Sequence, residues 1–118
     1  MFDTNQIEYM NNTYCDINNP DAIFYKSLED AYGSTYDLLR NKETGCNTIL
    51  VVFDGLPNEP MMAHEAFHVM NGILKYVNLE FNFSKTASNE YLAYIIEWSV
   101  RCMCNAIEKE KKCKKKTK

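Results

Sequence analysis

The chain has two histidines, and both fall in one five-residue run, His64-Glu65-Ala66-Phe67-His68. A strand would hold residues at this spacing about 13 Å apart, whereas a helix stacks them one turn apart on a single face. If the imidazoles act together, the segment must be helical. Its flanks agree: Leu56-Pro57-Asn58 leads into a helix expected over about 59–77, with Pro60 early, where proline is tolerated. Just upstream, residues 48–53 (Thr-Ile-Leu-Val-Val-Phe) form an apolar, β-branched run that ends at Asp54-Gly55, the strongest strand signal in the sequence.

Two imidazoles on one helical face suit a zinc ion, and the carboxylate of Glu65, beside the first, can take a proton from an activated water without ligating. The spacing therefore nominates His64 and His68 as metal ligands and Glu65 as a general base. An open catalytic zinc site needs a third protein ligand. Glu90 and Glu97 stand two turns apart on a further helix, expected to start at Ser88 or Asn89 and to end near Ile107. Glu90 is favoured, because two helices joined by a short loop bring its end of the helix back over the histidines. Glu97, in the apolar stretch 94–98, would be costly to bury unless paired, and stays the alternative.

The remainder reads less sharply. Residues 5–18 contain two strand-like runs around Asn11-Asn12, which suggests a hairpin. Phe24, Leu28, Ala31, Tyr32 and Leu39 recur at helical spacing, which predicts an amphipathic helix over 21–40, followed by a turn over 41–47. Cys102 and Cys104 point different ways on a helix and are expected to be buried small hydrophobes rather than a metal pair. The expected class is α+β, mostly helical, with a small sheet or edge strand packed beside the histidine-bearing helix.

Charge divides the chain. Residues 108–118 hold seven lysines and two glutamates, a net of +5, against −8 for the other 107 residues. We expect one domain over 1–107 and a disordered, solvated lysine tail over 108–118. An acidic body argues against nucleic-acid binding except through that tail. The sequence shows no apolar run long enough for a membrane span and no secretory leader, so the expectation is a non-membrane, non-secreted chain whose five cysteines stay reduced.

HEAFH, followed about twenty residues later by Asn89-Glu90-Tyr91-Leu92-Ala93-Tyr94, resembles the gluzincin branch of the zincin metallopeptidases. More narrowly, it is similar to the small HExxH proteins encoded by tailed bacteriophages, over residues 48–105. The resemblance implies a minimal zincin-like fold, a zinc cofactor held by His64, His68 and Glu90, and Glu65 as the base of a zinc peptidase-like activity. It also implies that residues 48–53 match the edge strand of the substrate cleft. Tyr94 is open to two readings, an oxyanion donor or a core tyrosine. The partner implied is a protein, as substrate or in virion assembly, and the location host cytoplasm or virion. The alternative is a non-enzymatic virion or assembly protein that keeps the fold and a structural metal.

Overall fold

Asn58 accepts a hydrogen bond through its side chain from the Met61 amide at 3.0 Å, and this cap starts the helix that carries both histidines. The computed structural model describes residues 4–23, 25, 32–77 and 86–116. In chain order these form α1 (Thr4–Thr13), β1 (Tyr14–Asp16), β2 (Gly33–Asn41), β3 (Asn47–Phe53), α2 (Glu59–Tyr76) and α3 (Thr86–Lys116). The architecture is α+β. The chain divides into two compact units, Met1–Pro57 and Asn58–Lys118.

In the first unit, three antiparallel strands lie in the order β1-β2-β3. Tyr14 pairs with Asn41 across the first ladder, and Gly33 with Phe53 across the second. The β2–β3 turn is built by Asn41, whose side-chain oxygen accepts from the amides of Glu43 at 2.9 Å and Thr44 at 3.1 Å. Gly45 closes the turn at φ 73°, a conformation that strains any residue with a Cβ. Met10, Tyr25 and Val52 form a buried cluster, with Ile7, Tyr36 and Leu50 packed against it.

Two expectations for this unit are corrected. Residues 4–13 are helical, not half of a hairpin: Ile7 and Met10, one turn apart, bury against the cluster, and this packing outweighs the weak helix propensity of the asparagines. Asn11 makes no turn; its side-chain amide donates to the Tyr25 carbonyl at 2.7 Å, and its oxygen accepts from the Tyr25 amide at 3.2 Å. The helix expected over 21–40 is also absent where the structure describes that stretch, because residues 33–41 are β2. A register shift between Tyr36 and Leu39 breaks the two-residue alternation of β2, which hides the strand in the sequence. Phe24, Leu28 and Ala31, which carried part of the helical spacing, lie outside the described residues. The strand at 48–53 and the turn before it are as expected.

In the second unit, α2 has Pro60 in its first turn, Glu59 at its positive end and Lys75 at its negative end. It packs on α3 through Met70 and Leu74 against Leu92, with Ile95 and Ile96 alongside. The loop expected at 78–85 falls outside the described residues. The third helix begins by Thr86, upstream of Ser88 and Asn89, and runs to Lys116 instead of ending near Ile107. Lysine and glutamate are strong helix formers, Glu108 precedes Lys112 by the favourable four residues, and lysines suit a helix C-terminus. The segment expected to be disordered is thus helical over residues 108–116. Among the described residues, no helix is long and apolar enough to cross a membrane.

Candidate metal centre

The α2 helix sorts its residues by face. Met62, Glu65, Ala66, Val69 and Met70 are buried, while Ala63, His64, Phe67, His68 and Asn71 are exposed. The apolar positions at three- and four-residue spacing fix one side as the buried one, and the histidines fall on the other.

The two rings meet there. Nε2 of His64 and Nε2 of His68 stand 3.3 Å apart, with ring centroids 5.0 Å apart and planes at 69°. Without a metal, this distance fits a hydrogen bond from one ring N–H to the bare nitrogen of the other. It also meets a stricter condition. Two zinc–nitrogen bonds of about 2.0–2.1 Å, opened to a tetrahedral angle, place their nitrogens about 3.3–3.4 Å apart. The spacing of the donor atoms therefore fits zinc.

Glu65 is only 5% exposed and lies on the flank with Met62, Ala66 and Val69, away from the solvent-facing imidazoles. Glu90 is exposed near the start of α3. Glu97 is also exposed, and its Oε1 accepts from Arg101 at 2.9 Å, an ion pair one helical turn long. Among the described residues, no group of three or more His, Cys, Asp or Glu side chains gathers where it could hold a metal ion. The structure brings together His64 and His68, and shows no such grouping for Glu90 or Glu97.

Other expectations change. Tyr94 is 61% exposed, so it is not a core tyrosine, and Ala93 beside it is exposed too. Cys102 and Cys104 are exposed as well, because the buried positions among the described side chains of α3 are Leu92, Ser99 and Met103, and neither cysteine shares that face. None of the five cysteines forms a disulfide. Phe67 was not singled out by the sequence reading. It is 49% exposed and meets His68 edge to face, with centroids 6.3 Å apart, giving the site an apolar border. The signal was available, since Phe67 lies off the spacing set by Met62, Ala66 and Val69.

Compared with protein-family models, with curated proteins and with solved structures, the chain matches none.

Proposed function

We propose that His64 and His68 bind zinc and that the chain is a zinc-dependent, peptidase-like protein of minimal zincin type. The observation that carries this reading is the 3.3 Å approach of the two Nε2 atoms, the separation a tetrahedral zinc requires. When bound, the ion supplies a Lewis acid that makes water nucleophilic near neutral pH and polarises a peptide carbonyl. His64 and His68 hold it through neutral imidazoles, and Glu90 is the carboxylate proposed to complete the set. Glu65 accepts the proton from the attacking water and passes it to the leaving amine. The substrate is a protein in host cytoplasm or in the virion, consistent with the resemblance to phage-encoded HExxH proteins.

A specific observation favours the second reading, a non-enzymatic virion or assembly protein with a structural metal. A general base must meet water on the side of the ion, and Glu65 is buried while both imidazoles face solvent. Metal analysis of the full chain, purified without chelator or metal-affinity tag, tests the shared premise. Zinc should be retained by the wild type and lost from His64→Ala and His68→Ala; equal, negligible zinc in all three sinks both readings. Glu65→Gln then separates them. The enzyme reading expects zinc retained and peptide hydrolysis abolished, while zinc retained with no hydrolysis in either protein leaves the structural role.

A further inference from the structure

The His64–His68 pair offers two of the four ligands that a closed zinc site takes, and among the described residues nothing joins it as a third. The surface around the pair is unusual for so charged a chain. From Ala63 to Asn71, the exposed positions of α2 are Ala63, His64, Phe67, His68 and Asn71, with no carboxylate, lysine or arginine among them. Such a strip meets a copy of itself without like-charge repulsion, and Phe67, 49% exposed, gives the contact an apolar component. Among the exposed positions of α2, charge enters only toward the ends of the helix, Glu59 in the first turn and Lys75 in the last. If two copies of α2 run antiparallel about a two-fold axis through the histidines, the acidic end of each lies toward the basic end of the other. The helix dipoles then oppose as well.

We infer that the zinc site is completed by a second copy of this chain: His64 and His68 from each of two α2 helices supply four imidazoles to one ion, and zinc joins the chains into a two-fold dimer. This rests on the metal-binding part of the reading above and deepens its structural branch, because four imidazoles leave no open position for water. Ligand supply then sets the assembly state. At about one zinc per two chains the ion bridges; with zinc in excess, each pair takes its own ion and the bridge is lost.

The test is sedimentation velocity on the full chain with reductant present, titrated with zinc chloride. The mass is expected to rise from 13.8 kDa toward twice that value near half an equivalent of zinc, and to fall back as zinc passes one equivalent. His68→Ala should stay monomeric throughout, which separates imidazole binding from zinc taken by the exposed thiols. Phe67→Lys, a solvent-facing change that sets one cation per chain beside the two-fold axis, should keep zinc binding and lose the dimer. Zinc bound by the wild type with a monomeric mass at every ratio overturns the bridge but leaves the metal-binding reading standing. No zinc bound at all removes both, and a dimer that persists in His68→Ala overturns the inference.

Discussion

Within the sheet unit the polar and ladder contacts join residues far apart in sequence, whereas within the helical unit the polar contacts are mostly local. In the sheet unit, Tyr14 pairs with Asn41, Met10 packs with Tyr25 and Val52, and Lys42 donates through its backbone to the Thr13 carbonyl at 2.9 Å. In the helical unit, several defining contacts span three or four residues: Asn58 to Met61, His64 to His68, Ile95 to Ser99, Glu97 to Arg101. The difference teaches where the candidate site gets its precision. The Nε2 pair needs α2 to be helical and little else, so the site rests on the element that asks least of the rest of the chain.

The largest test of that contrast is Leu39→Ala. Leu39 is 2% exposed in the central strand, and its truncation should cost about 2–5 kcal/mol, read by denaturant unfolding and by lost amide protection in β2 and β3. Zinc binding by the histidines should survive at temperatures where α2 stays helical. Equal loss of zinc binding would break the comparison.

Asn11→Ala is next. It removes the amide that pairs with both backbone groups of Tyr25, and should cost about 1–3 kcal/mol. Aspartate at the same position keeps the acceptor and loses the donor, so it should fall between alanine and wild type. A neutral result for Asn11→Ala would show that the sheet unit does not depend on this long-range clamp.

Asn58→Ala probes the local side. Loss of the cap on α2 should cost about 1 kcal/mol, with faster exchange confined to the first turn and serine restoring most of the loss. Weaker zinc binding in proportion to the lost helix would sharpen the link between helix and site.

At neutral pH the last effect vanishes. Burial raises the Tyr25 phenol above its ordinary value of 10.0, helped by Tyr36 and Asp54. Folding therefore favours the protonated form. Its contribution is complete below pH 10.0 and is lost as pH climbs through the raised folded value. Stability of the sheet unit should decline in that alkaline window, and Tyr25→Phe should flatten the decline; an unchanged slope would refute the assignment.

The same contrast governs what could be read from the residues alone. Residues 48–53 and α2 were legible because β-branching, an early proline and the histidine spacing are local signals. Leu39 misled: its distance from Tyr32 fits a helix, and its true partners, Asp16 on one side and Thr48 on the other, are chosen by chain-distant pairing. Asn11 misled for a related reason, since an asparagine that signals a turn locally serves here as a clamp on a residue fourteen positions on. At the site, the convergence of His64 and His68 was legible from spacing alone. The burial of Glu65 was not, because it depends on which flank of α2 is covered, and the motif is silent on that.

β3 pairs with β2 on one side and ends the sheet among the described residues. Its residues 48–53 carry no charge and no proline, and four of the six are β-branched. A segment of that kind is a template for its own copies, so the feature that made β3 the most readable strand also makes it an aggregation hazard. The hazard is greatest before β2 has claimed it, during synthesis or on heating. Asp54, followed by Gly55 at φ 86°, works against it as a gatekeeper: a charge and a left-handed backbone stop a growing stack from extending past Phe53.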